Sequence, residues 1–243
     1  MKKIRLYYPE NYQPGASFEL SGDAFQHAVK VLRCRLGDVL ELFDGKGRVA
    51  LAELTTIEKR RAEIMIGECL TVNTESSLHS VLVQAVSKGE RMDWVLQKAT
   101  ELGVTIIQPV ISERCNVHLD KTRWQKRLLH WQRVIISACE QCGRNHLPEL
   151  NPVIDLSQFI QEKPQKQSFI LQPKLGSTMH QLEIDSTKSV SFIIGPEGGF
   201  SEREIACCLT AGVNGIKLGP RILRTETAGI AVLAIAQSLW GDL

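Results

Sequence analysis

The sequence predicts an α/β protein in which a β-rich region of about 70 residues precedes a larger region of alternating strands and helices. Residues 1–71 contain short strands and turns around one helix. Residues 72–77, VNTESS, are polar and show no apolar periodicity, which is typical of a linker. Beyond them, apolar strands alternate with helices to the end of the chain. We therefore expect two domains, residues 1–71 and residues 72–243.

The first region has the pattern of a compact β structure with one helix. Ser21 is a suitable N-cap for an amphipathic helix over residues 24–32. Asp44–Gly47 is a turn sequence, because Asp-Gly pairs tolerate positive φ values. Strands are expected on either side of this turn and beyond it, over residues 38–43, 48–55 and 62–69.

The second region begins with a strand, a helix and a second strand. Residues 81–86 and 104–111 are apolar strands, and residues 91–102 form a helix that Gly103 ends as its C′ residue. Such a unit favours parallel strands with a right-handed crossover. Further elements are expected as helices over 121–142, 202–211 and 225–239 and as strands over 169–171, 190–194 and 215–218. This alternation predicts a mostly parallel sheet covered by helices on both faces.

Composition indicates a globular protein outside the membrane. The chain has 243 residues, 43% of them hydrophobic and 23% charged, and its net charge is only +2. No apolar run approaches the roughly 18 to 20 residues that a membrane span needs. The basic first residues lack an apolar signal stretch, and the seven cysteines have no framework spacing. We expect a cytoplasmic protein with free thiols and no membrane partner.

The most informative segment is FIIGPEGGFSERE, residues 192–204, in which a buried strand runs into a glycine-rich loop. Ser201 and Glu204 have the spacing of a capping box that starts the next helix. Open α/β sheets bind ligands where strands end in such loops. A tight turn without a ligand is an equally good interpretation of this loop alone. The segment lacks the GxGxxG and P-loop patterns, which argues against a dinucleotide enzyme and a standard NTPase.

A second loop of the same build follows another strand, in IKLGPRILRTETA, residues 216–228. Arg221 and Arg224 lie three residues apart, with Glu226 just beyond them. Two loops of the Gly-Pro type, each directly after a strand, could frame one cleft in which arginines hold an anionic group. The alternative is an ion pair between an arginine and Glu226 at a helix start.

Residues 121–133, KTRWQKRLLHWQR, are rich in Lys and Arg and contain no acid. Trp124 and Trp131 are mixed with these basic residues, a combination that suits a nucleic-acid backbone with bases to stack. A solvated helix face is the alternative interpretation.

Cys139, Cys142 and His146 resemble half of a zinc site. No second pair of ligands follows, and the helical context favours free thiols, so we predict no metal. The nucleophile elbow GxSxG of hydrolases is also missing from the sequence.

Four segments together resemble the ribosomal RNA small subunit methyltransferase E family, which methylates N3 of a uridine in 16S ribosomal RNA. Each segment alone is weak evidence for the family, but the four occur in the family's order over nearly the whole chain. They are HAVKVLR at 27–33 with Gly37 and Asp38, QKATELGV at 97–104, IGPEGGF at 194–200, and LGPRILRTETA at 218–228.

The resemblance implies an architecture that the residue patterns alone do not reveal. It implies an N-terminal PUA-like β-barrel that binds RNA and a C-terminal α/β domain of the SPOUT class with a parallel sheet. In that class the chain forms a deep trefoil knot, whereas periodicity alone indicates a doubly wound sheet. The resemblance also implies S-adenosylmethionine as cofactor, a homodimer, and 16S ribosomal RNA as partner, within the 30S subunit.

The resemblance also assigns roles to individual residues. The positions expected to bind S-adenosylmethionine are Leu171, Gly195, Glu197, Gly198, Leu218, Gly219, Ile222 and Leu223. The candidates for catalysis are Arg224 and Arg221 as cations and Glu197 or Glu226 as the proton acceptor. The positions expected to contact RNA are Arg33, Arg123, Lys126 and Arg127.

Two other classes of function stay open on the sequence. One is an RNA-binding protein without catalysis, against which the intact glycine loops argue. The other is a different enzyme, such as a thiol-based hydrolase with Cys142 as its nucleophile, although the sequence offers no activating partner for that thiol.

Overall fold

The computed structural model describes residues 4–117, 119–162, 167–173 and 176–243, and the chain divides into two compact units. The first unit comprises the described residues up to Glu75 and also includes Cys139–Leu147. The second comprises Ser76–Ala138 and Pro148–Leu243. One long helix therefore contributes residues to both units. The predicted domain boundary between residues 71 and 72 stays a prediction.

The first unit contains a five-stranded sheet in the order β1-β3-β4-β5-β2. The β1 and β3 strands are parallel and the other neighbours are antiparallel. Among the described strands β1 and β2 are the two edges, and no pairing joins them into a closed barrel. The strands are β1 (Ile4–Tyr7), β2 (Ser17–Leu20), β3 (Val39–Phe43), β4 (Arg48–Ile57) and β5 (Ala62–Thr71).

Alternating apolar residues form the core of this unit. In β4 and β5, residues of the inner face such as Leu54 and Ile64 are fully buried, while their neighbours along the strand are exposed. The predicted turn joins β3 to β4, since the Asp44 carboxylate accepts hydrogen bonds from the backbone N–H groups of Lys46 (2.7 Å) and Arg48 (3.0 Å). The three strands predicted around this turn are confirmed.

The helix expected over residues 24–32 differs from the prediction in its winding. It begins as α1 (Gly22–Phe25) and continues as a π-helix over Gln26–Val31. Ser21 occupies the N-cap position with extended backbone, but its side chain makes no capping hydrogen bond. One face of the segment is buried, as an amphipathic pattern requires, with Phe25 and Ala28 in the core. The pattern does not specify the number of residues per turn.

The second unit contains an eight-stranded sheet whose pairings among the described residues are all parallel, as predicted. The strand order is β11-β13-β10-β12-β6-β7-β8, and β9 also pairs with β7. The strands are β6 (Ser80–Ala85), β7 (Ile106–Ile111), β8 (Glu149–Leu150), β9 (Ile154–Asp155), β10 (Ser168–Leu171), β11 (Ser177–Thr178), β12 (Val190–Ile194) and β13 (Asn214–Lys217). The helices are α2 (Glu90–Glu101), α3 (Lys121–Cys142), α4 (Leu156–Glu162), α5 (Glu202–Thr210) and α6 (Thr225–Trp240), with a 3-10 turn at Met179–Gln181.

Helices cover both faces of this sheet, because side chains along a strand point alternately to opposite sides. On β6, Val81 and Val83 belong to one apolar cluster with Phe159 of α4 and Cys208 of α5. The intervening Leu82 lies on the other face, beside Gly229 of α6. The predicted two-sided covering is confirmed, whereas α4 and the short strands β8, β9 and β11 were not predicted.

Parallel pairing brings the carboxyl ends of the strands to one edge of the sheet. The loops that leave β6, β7, β10, β12 and β13 all begin at this edge. Both glycine-rich loops identified in the sequence are among them. A ligand site framed by these two loops therefore has its natural position here.

The end of α2 allows the first prediction. Gly103 has a φ of +75° at the predicted C′ position, and a Cβ there would lie 2.9 Å from Nε2 of Gln237, which donates to the carbonyl of Leu102. Gly103→Ala is therefore expected to lower the free energy of unfolding by more than the roughly 1 to 2 kcal/mol of a left-handed non-glycine residue. Denaturant unfolding of the purified variant measures this change.

Gly212→Ala is the matched control for that comparison. Gly212 ends α5 with a φ of +84°, but a Cβ there would meet no atom within 4 Å. Gly212→Ala therefore measures only the cost of a positive φ, without a steric contact. Equal losses in the two variants would mean that the Gln237 amide moves aside without destabilising the helix end.

Candidate functional site

A pocket of about 680 Å³ lies at the carboxyl edge of the parallel sheet. Its walls come from the loops that follow β10, β12 and β13 and from the first turn of α6. Every position predicted for cofactor binding or catalysis lines it. These are Leu171, Gly195, Glu197, Gly198, Leu218, Gly219, Ile222 and Leu223, together with Arg221, Arg224 and Glu226. We refer to it as the glycine-loop pocket.

The loop after β12 is held by the start of α5. Ser201 is the N-cap, and the predicted capping box is present, with the Ser201 hydroxyl accepting from Glu204 N–H and the Glu204 carboxylate accepting from Ser201 N–H. The other oxygen of Glu204 accepts from the backbone N–H of Glu113 at 2.8 Å. One buried carboxylate thus ties the loop after β12 to the loop after β7.

Arg114 holds the same loop from its outer side. Its Nη1 donates to the carbonyl of Gly198 at 3.0 Å. A Cβ on Gly198 would lie only 3.3 Å from Cβ of Arg114, so a side chain there would have to push the arginine away. This close approach gives Gly198 a structural reason to be glycine.

A buried hydrogen-bond chain joins the two glycine-rich loops. The hydroxyl of Thr225, the first residue of α6, donates to the carbonyl of Gly195 at 2.5 Å. The same hydroxyl accepts from Nε2 of Gln84 at 2.9 Å, and Gln84 is fully buried at the end of β6. The spacing between the two pocket walls therefore depends on this chain. Sequence reasoning missed both Thr225 and Gln84.

The second loop presents charged and apolar groups to the pocket. Arg221 and Arg224 are exposed, and neither side chain has a hydrogen bond or ion pair within the described part of the chain. The alternative interpretation, an ion pair with Glu226 at the helix start, is therefore wrong for the described residues. Ile222 is 81% exposed although it is apolar, so this wall presents apolar surface that a ligand can cover.

The two carboxylates of the pocket have different surroundings. Oε1 of Glu197 accepts from Nη1 of Arg91 at 2.7 Å in a partly exposed ion pair. Oε2 of Glu226 is buried and has no hydrogen-bond partner among the described residues. Buried polar atoms rarely stay unpaired, so Glu226 offers an acceptor to a ligand that enters the pocket.

Comparison with known proteins identifies the family. One family model, the RNA methyltransferase domain, matches residues 74–237, and another, the RNA methyltransferase PUA domain, matches residues 20–66. The ribosomal RNA small subunit methyltransferase E of Buchnera aphidicola subsp. Schizaphis graminum is 37% identical over 240 residues, which cover 98% of this chain and 97% of that protein. The chain belongs to the ribosomal RNA small subunit methyltransferase E family.

Solved structures of similar proteins agree with this assignment. A methyltransferase from Legionella pneumophila, solved in complex with the bound cofactor SAM, is 44% identical and superposes with a TM-score of 0.97 over 100% of both chains. A ribosomal RNA small subunit methyltransferase E from Neisseria gonorrhoeae, solved bound to S-adenosyl methionine, is also 44% identical, with a TM-score of 0.94 over 99% of both chains.

Within this methyltransferase E fold, the residues predicted to contact RNA do not line the glycine-loop pocket. Arg33 follows the π-helix in the first unit and has a φ of +58°, unusual for a residue with a side chain. Arg123, Lys126 and Arg127 lie on α3, where Arg123 pairs with Asp120 at 3.4 Å. Their contact with RNA stays a prediction.

One aromatic residue of α3 is excluded from base stacking. Trp131 is completely buried and packs against Trp124, with ring centroids 6.3 Å apart. The expectation that both tryptophans offer stacking surfaces is therefore wrong for Trp131. A tryptophan among the basic residues of a helix can lie on the side that faces the core as well as on a surface that binds nucleic acid.

The cysteines of this family member are all free. Among the described residues no group of three His, Cys, Asp or Glu side chains could hold a metal ion. Burial raises the pKa of Cys139 to about 12 and that of Cys208 to about 12. In addition, no helix within the described ranges is long and apolar enough to cross a membrane.

These pKa values predict selective alkylation. The thiolate is the reactive form, and at pH 8 a thiol with a pKa of about 12 is only about 10⁻⁴ ionised. Iodoacetamide at pH 8 is therefore expected to label the exposed Cys69 and Cys207 and to spare Cys139 and Cys208 in the folded protein. Peptide mass spectrometry after timed quenching measures the order. Early labelling of Cys208 next to unlabelled Cys207 would contradict it.

Proposed function

We propose that the chain is an S-adenosylmethionine-dependent methyltransferase that methylates N3 of a uridine in 16S ribosomal RNA of the small subunit. The observation that carries this proposal is the glycine-loop pocket, in which two loops of the Gly-Pro type meet beside the unpaired Arg224. Two proteins 44% identical to this chain along its length were solved with this cofactor bound. The uridine N3 specificity comes from the family resemblance.

The residues of the pocket fit this cofactor. A volume of about 680 Å³ lies within the range of roughly 300 to 1,000 Å³ that is typical of small-molecule sites. Leu171, Leu218 and Ile222 supply apolar surface for an adenine ring, and glycine positions let backbone groups come close.

The main chemical task of the protein is to make uridine N3 nucleophilic. S-adenosylmethionine, when bound, supplies a sulfonium methyl group that a nitrogen atom can take. Uridine N3 is a poor nucleophile while it carries its proton. As that proton leaves, negative charge develops on the uracil ring, and a fixed guanidinium lowers the energy of this anion. Arg224 is suited to this role, since it lines the pocket and no described residue occupies its charge.

A carboxylate of the pocket takes the N3 proton in this proposal. Glu197 and Glu226 are the two candidates. Glu197 already accepts a hydrogen bond from Arg91, whereas Oε2 of Glu226 has no partner among the described residues. We therefore favour Glu226 as the proton acceptor. The base must also be unpaired or turned out of its helix to expose N3.

The proposal includes finer features of architecture and assembly. Residues 1–71 form a PUA-like β domain that binds RNA, and residues 72–243 form a SPOUT domain whose chain is knotted around the glycine-loop pocket. Arg33, Arg123, Lys126 and Arg127 contact the RNA. The enzyme acts as a homodimer on 16S ribosomal RNA within the 30S subunit. Each of these features follows from the family resemblance.

The test is transfer of labelled methyl groups from S-adenosylmethionine to 30S subunits and to naked 16S RNA in parallel. The product nucleoside is identified by chromatography and mass spectrometry. Label recovered as N3-methyluridine supports the proposal, and a preference for 30S supports the assembled subunit as substrate. Label in a different nucleoside would overturn the uridine assignment but keep the methyltransferase.

Two outcomes would favour the rival functions. Tight RNA binding without cofactor binding or label would indicate an RNA-binding protein without catalysis. Loss of activity after alkylation of Cys142 alone would favour a thiol-based enzyme. Retention of methyl transfer by the alkylated protein excludes that second rival.

A further inference from the structure

A second, open cavity of about 560 Å³ borders the glycine-loop pocket. It is lined by the loop after β6, by the loop after β7 and by Glu197, and we call it the polar groove. Its residues are Lys88, Gly89, Glu90, Arg91, Asn116 and Glu197. No position of the loops after β6 and β7 was predicted as a site from the sequence.

The groove and the pocket share a wall. Arg91 and Glu197 line both cavities, and their ion pair at 2.7 Å forms part of the boundary. A molecule in the groove is therefore next to a molecule in the pocket. Transfer of a group requires the reacting atoms to approach to about 3 to 3.5 Å, so the acceptor must occupy a space that opens onto the donor.

Lys88 is the cation of the groove without a described partner. It is exposed and has no hydrogen bond or ion pair among the described residues, whereas the charge of Arg91 is taken by Glu197. Lys88 also lies just before α2, where the helix dipole disfavours a cation. The helix dipole therefore does not stabilise the positive charge at this point. Glu90, in contrast, lies in the first turn of α2, where the same dipole stabilises a carboxylate.

Asn116 adds a neutral donor and acceptor to the lining of the groove. The loop that carries it is fixed to the loop after β12 by two hydrogen bonds, from Arg114 to the Gly198 carbonyl and from Glu113 N–H to Glu204. Asn116 is exposed and lines the groove. Its N–H groups can donate to a carbonyl oxygen of a pyrimidine base, which leaves the ring nitrogen N3 free.

We infer that the polar groove receives the acceptor nucleotide, with a backbone phosphate against Lys88 and a carbonyl oxygen of the unpaired pyrimidine against Asn116, so that N3 faces the glycine-loop pocket. This inference rests on the proposed methyl transfer and names the residues that would receive its substrate. An unpaired RNA nucleotide combines an anionic phosphate with a neutral base that carries both donors and acceptors. The groove offers Lys88 to the phosphate and Asn116 to the base.

The test compares Lys88→Ala and Asn116→Ala with the wild-type protein. Lys188→Ala is the control for loss of an exposed lysine: Lys188 pairs with Asp185, precedes β12 and so lies at the amino edge of the sheet, away from the pocket loops. Methyl transfer to 30S subunits is measured as kcat/KM at several salt concentrations. Binding of S-adenosylhomocysteine is measured separately by calorimetry, and subunit association by sedimentation.

Lys88→Ala is expected to lower kcat/KM by about tenfold, the effect of one charged hydrogen bond. It should also reduce the slope of log kcat/KM against log salt by about 0.7, the value for one phosphate of a single strand. Asn116→Ala is expected to lower kcat/KM without changing that slope. Both variants should bind S-adenosylhomocysteine like the wild type, and Lys188→Ala should match the wild type in every assay.

Several results would overturn the inference while leaving the proposed function intact. One is an active Lys88→Ala variant with unchanged kcat/KM and an unchanged salt slope. Another is weaker S-adenosylhomocysteine binding, which would assign the groove to the cofactor. A third is weaker subunit association, which would make it a contact with a second copy. Failure of the proposed function itself is separate, since wild-type protein would then transfer no methyl group to 30S subunits.

Discussion

Arg224→Ala is expected to lower kcat for methyl transfer by about 10²- to 10³-fold while the affinity for S-adenosylhomocysteine changes little. The reason is that Arg224 lines the glycine-loop pocket as an exposed cation without a partner among the described residues. Its charge is needed only when the uracil ring becomes anionic. A loss in kcat with unchanged cofactor binding is the signature of an interaction made in the transition state.

The controls for this prediction come from the same loop. Arg221→Ala removes the same charge three residues away and is expected to have a smaller effect. Arg224→Lys keeps the charge but loses the planar fork of donors, so it should recover only part of the rate. A folded Arg224→Ala protein that binds cofactor and retains full turnover would remove Arg224 from the mechanism. A larger loss for Arg221→Ala would transfer the role to that residue.

Thr225→Val is expected to weaken cofactor binding by at least about tenfold and to lower the free energy of unfolding by about 2 kcal/mol or more. Valine has nearly the same shape but cannot donate to the Gly195 carbonyl or accept from Nε2 of Gln84. Gln84 would then lose a hydrogen bond in a fully buried position, and the Gly195 carbonyl would lose one in a partly buried position. Because this chain sets the spacing of the two pocket walls, the pocket should change with it.

Two measurements separate the effects of this substitution. Calorimetry with S-adenosylhomocysteine reports the pocket, and denaturant unfolding reports the global stability. Thr225→Ser keeps the hydroxyl and should recover most of both quantities. Wild-type cofactor affinity in Thr225→Val would mean that the loops hold their spacing without this hydrogen-bond chain.

The parts of the site that are local in sequence could be predicted. A strand, a glycine-rich loop and the Ser201–Glu204 capping box are adjacent along the chain, and together they specify a loop at a sheet edge. The alternation of strands and helices correctly predicts a parallel sheet, and parallel strands bring both glycine-rich loops to one edge. The catalytic roles within that site stay predictions.

The parts that depend on distant partners could not be predicted. Gln84 is a buried amide in an apolar strand, and its partner Thr225 is far along the sequence, so no local pattern indicates their contact. The hydrogen bond from Glu113 N–H to the Glu204 carboxylate could not be predicted either, because it depends on the order of the strands in the sheet. Trp131 was predicted wrongly for a related reason. Its basic neighbours in the sequence indicate an exposed position, but the fold buries its ring.

The division of α3 between the two units has a consequence for the order in which the protein folds during synthesis. The first unit is discontinuous: Tyr7 N–H donates to Glu140, and Arg5 donates to the Arg144 carbonyl and to Asn145. These partners leave the ribosome only after all of Ser76–Ala138 has been made, a delay of several seconds at about 5 to 20 residues per second. The N-terminal strands thus emerge first but complete their hydrogen bonds late. During this delay β1 is exposed to aggregation, because its partners at the end of α3 and just beyond it have not yet been synthesised.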